Sequence, residues 1–182
     1  LDSILRMEIA GNQAESILSR VLAFCSHFQE LLPAVENFFL QWLPQWNGIH
    51  MIRVVLDTLP LLKPMPFEDL YTKVLQPLQR ISFSWSVWNK ALLVNALRKL
   101  LVRWLSLDWS SFNSFCQECI RTQHPDVLPF LRWKGPFHFA GLLIGVDYLK
   151  CLNEVLSHMD SLCSTLLMST GPSQQVLLQH AV

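Results

Sequence analysis

The strongest constraint on the fold is an apolar repeat of helical period that prolines keep cutting short. Tyr148 to Met168 shows it most clearly: Leu149, Leu152, Val155, Leu156, Met159, Leu162, Cys163, Leu166 and Leu167 recur at i, i+3, i+4 and i+7 beside Tyr148. The same period recurs upstream in shorter pieces. Residues 13–31 form one, starting at an Asn12–Glu15 pair that resembles a capping box. Pro33 suits the first turn of a second helix, which should stop at Pro44. Gln45-Trp46-Asn47-Gly48 reads as a turn. Residues 49–62 fit a third helix, broken by Pro64 and Pro66. Residues 67–81 are helical in pattern, with a break or kink expected near Leu75–Gln76 because Pro77 has no N–H to donate. Ser84 or Ser86 can cap a long helix to about Leu107, and Ser173 can cap a last one after Gly171-Pro172.

This pattern predicts an all-α chain of at least seven helices, arranged as stacked helical hairpins in a HEAT-like α-solenoid segment. No fixed sequence period is visible, so any repetition is structural. Residues 1–182 read as a single helical-repeat region with 109–146 an irregular or variable junction, in which 110–122 is a plausible helix and 123–145 holds three prolines and three glycines. Leu1 in place of Met, and an end at Val182 that is still apolar, point to a fragment of a longer chain. The expected core includes Trp42, Leu97, Leu101, Trp104, Leu152, Val155, Leu156, Met159 and Leu162. Trp46, Trp85 and Trp88 lie in apolar runs and are expected at helix interfaces, whereas Trp109 and Trp133 are better placed for exposure.

Chemistry-bearing patterns are sparse. There is no GxGxxG, no GxxxxGK[ST] and no GxSxG. Cys116 and Cys119 with His124 form half a zinc site; His138 and Cys151 lack the pair spacing to complete it. The five cysteines are odd in number and widely spaced, as expected of reduced thiols. His158 falls on the polar side of its helix and is read as solvated. Glu68 and Asp69 follow Pro66 at a helix start, where they oppose the macrodipole. The expectation is no catalytic residue, no metal, no cofactor and no small-molecule substrate. No run of 18 apolar residues exists, so no membrane partner is expected.

Charge is the one uneven property. The net charge is zero, yet residues 70–107 hold six basic residues and no acid. On a helical wheel with Lys90 at zero, Arg98, Lys99 and Arg103 lie between about 80° and 220°, opposite Leu97, Leu100 and Trp104. Lys90, Arg98, Lys99 and Arg103 are therefore a candidate face for phosphates of DNA or for an acidic partner. A solvated helix back is the plainer alternative.

Three stretches resemble the centromere protein I family. The first is Phe39-Leu40-Gln41-Trp42-Leu43-Pro44-Gln45-Trp46-Asn47-Gly48. The second runs from Pro66-Phe67-Glu68-Asp69-Leu70-Tyr71 through Leu75-Gln76-Pro77-Leu78 and the Ser84-Trp85-Ser86 bend to Leu97-Arg98-Lys99-Leu100 and Asp108. The third joins Leu152-Asn153-Glu154-Val155-Leu156-Ser157-His158-Met159 with Leu177-Leu178-Gln179-His180-Ala181-Val182. The resemblance implies a non-enzymatic scaffold of the inner kinetochore in the nucleus. It also implies assembly with centromere proteins H, K and M on centromeric chromatin, where DNA is a possible contact. A helical-repeat adaptor from transport or checkpoint signalling is the competing reading.

Overall fold

The computed structural model describes residues 2–106, 114 and 147–179. Among them there are helices and turns and no strand, so the described residues form an all-α fold. Helix α1 spans Asp2–Phe28, α2 Pro33–Trp42, α3 Ile52–Thr58, α4 Phe67–Leu70, α5 Gln76–Ser82, α6 Val87–Leu105, α7 Tyr148–Met168 and α8 Pro172–Gln179. A π-helical segment, Tyr71–Leu75, joins α4 directly to α5, so these helical stretches form seven separate rods.

Helix ends follow local chemistry. α1 closes with Gln29 in the left-handed region (φ 59°). The Glu30 N–H then reaches Cys25 O and the Gln29 N–H reaches Ser26 O, a Schellman cap. Because α1 already begins at Asp2, position 12 is interior to it, contrary to the expected start at residue 13. Pro33 opens α2 as expected, and Pro44 sits in a 3-10 turn, Leu43–Gln45. Ser86 is the cap of α6, its Oγ accepting the Asn89 N–H at 3.4 Å. Ser173 lies inside α8, which starts one residue earlier at Pro172.

Pro77 marks the interruption expected near Leu75–Gln76: the α-helical bonding of α4 gives way to the π segment Tyr71–Leu75 and resumes at Gln76. The Gln76 N–H bonds to Tyr71 O, five residues back, and the widened turn takes up the proline ring before α5 continues. The interruption is a change of hydrogen-bond register within a continuous helical segment, not a loop between two helices.

The third helix is shorter than its apolar pattern. Asn47 Oδ1 accepts the N–H of Ile49 at 3.0 Å and of His50 at 3.4 Å, an Asx turn that holds the chain out of a helix until Ile52. A 3-10 turn, Leu59–Leu61, finishes it at Pro60. Trp46 Nε1 donates to His50 O and Trp85 Nε1 to Gly48 O. Two indoles thus pin this loop, and their rings meet edge-on with centroids 5.9 Å apart.

α6 is the centre of the core, packing against α3, the Leu59–Leu61 turn, α7 and α8. Its Leu93, Val94, Leu97, Leu100, Leu101 and Trp104 are buried. Trp85 at its start reaches Gly48 before α3, whereas Trp104 at its end reaches Leu62 O beyond α3. α3 and α6 therefore run in the same direction, with the α4–α5 rod connecting them. From α7, Cys151, Leu152, Val155, Leu162 and Leu166 enter the core. Leu156, expected inside, is 47% exposed: it sits about 80° round from Tyr148, on the edge of the apolar stripe.

Candidate functional site

The four basic residues picked out on α6 have three different environments. Lys90 is not on the outside. It is 3% exposed, and its Nζ donates to Ser169 Oγ at 3.1 Å and Thr170 Oγ1 at 3.3 Å. Both hydroxyls donate onward to Leu166 O. These residues end α7, where unpaired carbonyls leave partial negative charge, and α7 has no basic residue in its own last turn. Lys90 supplies that cation from α6. The wheel contained the signal: Leu97 and Leu101 lie within about 20° of Lys90, so the residue points with the core.

Arg103 also turns inward. It is partly buried and donates to Pro60 O at 2.6 Å. Burial draws its pKa down to about 10, while Glu30 and Glu36 act the other way, so it stays charged at neutral pH. Glu36 is itself buried, accepting the Lys63 N–H at 3.1 Å through Oε1 and its Nζ at 3.0 Å through Oε2. Arg103 is thus part of an internal ionic group that ties α6 to α2 and the α3–α4 loop.

Arg98 and Lys99 remain exposed, with an Arg98 Nη donating to Asn95 Oδ1 at 3.2 Å. A residue missed in the sequence joins them. Arg53 of α3 lines a cleft of about 220 Å³ together with Leu56, Asp57 and Pro60; the facing wall is Trp88, Leu92, Asn95, Ala96 and Lys99 of α6. Trp88, expected inside, is 68% exposed. It lies about 160° from Lys90, on the side of Asn95 and Lys99, so its angular position outranks the apolar run that contains it. The signal for Arg53 was its i, i+4 spacing to Asp57, which places both on one side of α3.

Three further titratable groups, His158, Cys151 and Cys163, are partly or wholly buried. His158 is half-buried rather than fully solvated: it packs against the stacked pair Phe67 and Tyr71, ring centroids 6.4 and 5.4 Å away, with Nε2 buried and without a hydrogen bond. Burial lowers its pKa. The Cys151 thiol donates to Met65 O at 3.1 Å. Burial, reinforced by Glu154 and Asp147, pushes it up to about 11, and Cys163 is raised for the same leading reason. Such thiols behave as packing groups rather than nucleophiles. Among the described residues no three His, Cys, Asp or Glu side chains gather as a metal set, and no helix is long and apolar enough to cross a membrane. Cys116, Cys119, His124, His138, Trp109, Trp133 and the 109–146 junction lie outside the described residues, apart from Ser114.

Residues 7–119 match the family model described as CENP-I: Mis6. The first two resembling stretches lie within that range, which also enters the first residues of the junction. Centromere protein I of Gallus gallus is 27% identical over 146 residues, covering 74% of this chain. The chain spans only 19% of that relative's length. With the family model covering well over half of its residues, the chain belongs to the CENP-I (Mis6) family.

Proposed function

We propose that the protein is a non-enzymatic scaffold subunit of the inner kinetochore, located at the centromere in the nucleus. It assembles there with centromere proteins H, K and M on centromeric chromatin. The observation that carries this is the family match over residues 7–119. The physical reading supports it. Helices present apolar side chains outward at Ile17, Phe24, Phe28 and Phe38 on α1 and α2, and at Leu149, Leu156 and Val176 on α7 and α8. A scaffold works by burying such faces against partner helices. In this reading the parallel α3 and α6 and the rod between them are one unit of a HEAT-like solenoid. Arg98 and Lys99 are what remains of the proposed acidic-partner face.

Affinity purification of the full-length protein from dividing cells tests this. Recovery of H, K and M subunits in comparable amounts is the expected result. Recovery of transport or checkpoint factors, with none of these subunits, would sink the proposal in favour of an unrelated adaptor.

A further inference from the structure

The cleft between α3 and α6 has an apolar floor, a charged rim and an exposed indole. Leu56 and Ala96 are buried at its base and Leu92 is half-buried. Along α6, Trp88, Leu92, Asn95 and Lys99 follow at i, i+4, i+7 and i+11, a ridge about 16 Å long. Along α3, Arg53, Asp57 and Pro60 line the opposite side. Because the two helices run in the same direction, Arg53 and Trp88 share one end while Pro60 and Lys99 share the other. Asp57 lies between the two cations.

None of Arg53, Asp57 and Lys99 forms an ion pair among the described residues. Arg53 and Asp57 are four apart on one helix, but with the base N-terminal to the acid, the weaker order for pairing. Two cations at the ends of an apolar trough are thus left to water. Trp88 exposes a large apolar surface beside them, and tryptophan is the side chain most enriched at the energetic centres of interfaces.

We propose that this cleft seats an acidic segment of a partner protein. The segment places an apolar side chain against Trp88, Leu92 and Leu56, and one carboxylate at each end, facing Arg53 and Lys99. The pattern of charge favours a peptide over a nucleic acid. A duplex presents a phosphate on each strand for every ~3.4 Å of its axis, so a strand spanning both cations also brings charge against Asp57. A peptide puts acids only where the cations are and leaves an uncharged residue opposite Asp57. Asn95 spends its carbonyl on Arg98 and keeps its amide N–H groups for the peptide backbone. The proposal concerns the cleft alone and stands whichever assembly the protein joins.

The test uses the intact protein and a fluorescein-labelled, alanine-based helical peptide carrying Glu, Leu, Leu and Glu on one face over three turns. A second peptide has Lys in place of both Glu, and a short DNA duplex is the competitor. Anisotropy should show the Glu peptide binding and the Lys peptide not. Arg53→Glu with Lys99→Glu should reverse that preference, each affinity moving by about tenfold or more. Trp88→Ala should weaken the Glu peptide by a similar factor. All three side chains are exposed, so the variants should keep wild-type helicity by circular dichroism. No binding of the Glu peptide, or binding indifferent to the charge reversal, overturns the proposal. So does duplex DNA that binds more tightly than the peptide and depends on the same two cations, which would make the cleft a phosphate site.

Discussion

Trp104 shows how much one side chain can hold. It is fully buried, and its Nε1 donates to Leu62 O at 3.1 Å. Trp104→Ala should destabilise the protein by about 3–5 kcal/mol through the cavity it leaves; a loss below about 1 kcal/mol in urea unfolding would make it peripheral. Lys90 makes a different prediction. Ser169 and Thr170 keep their bonds to Leu166 O without it, so Lys90→Met should leave stability within about 1 kcal/mol of wild type. Lys90→Glu, which sets an anion against the C-terminal carbonyls of α7, should cost more than about 3 kcal/mol. Equal effects of the two changes would refute the charge argument. Trp104 was legible in the sequence because it shares a helical side with Leu97, Leu100 and Leu101. The burial of Lys90 was also written in its angle, but its partners lie 79 and 80 residues away, where no local pattern reaches.

At the scale of elements, Gly48 decides how α3 begins. Its φ of 76° suits glycine, and a Cβ there would run into Ile81 Cγ2 of α5. Gly48→Ala should therefore cost about 2–4 kcal/mol from backbone strain and overpacking. A melting temperature equal to wild type would show that the loop can move off α5. Periodicity located the rods because burial of one side enforces it, and Pro33, Ser86 and Gly171 marked boundaries through chemistry they carry themselves. It missed the start of α3, where Asn47 offers a competing Asx turn to residues with a good helical pattern. It also missed the π segment before Pro77, since apolar spacing does not report a one-residue widening. The cleft was half legible for a related reason: Lys99 was visible on α6, but its pairing with Arg53 required knowing that α3 and α6 lie side by side.

For the whole molecule, acid should act through His158. Its folded pKa lies below the ordinary 6.5, so the unfolded chain binds the proton first as pH falls. Stability is then fully present above pH ~6.5 and is lost as pH drops through that value toward the lower folded one. The melting temperature should fall between about pH 7.5 and 5.5, and fall less in His158→Phe; an identical fall in both would assign the loss to other groups. A last consequence comes from the short loop after α3. Trp104 near the end of α6 binds Leu62 O, and Cys151 near the start of α7 binds Met65 O. These acceptors are three residues apart, at most about 10 Å of chain. The polypeptide leaving α6 and the one entering α7 are thus held at one gatepost. The closure cost of a flexible insert placed between two such anchors grows only logarithmically with its length, each doubling adding about 0.6 kcal/mol. A Gly/Ser insert of about 40 residues after Ser106 should lower the melting temperature by only about 2 °C. Collapse of the cooperative transition would show that the anchors do not hold. If they do, α6 and α7 keep their places because each is fastened to the same short stretch of backbone, whatever length of chain is added between them.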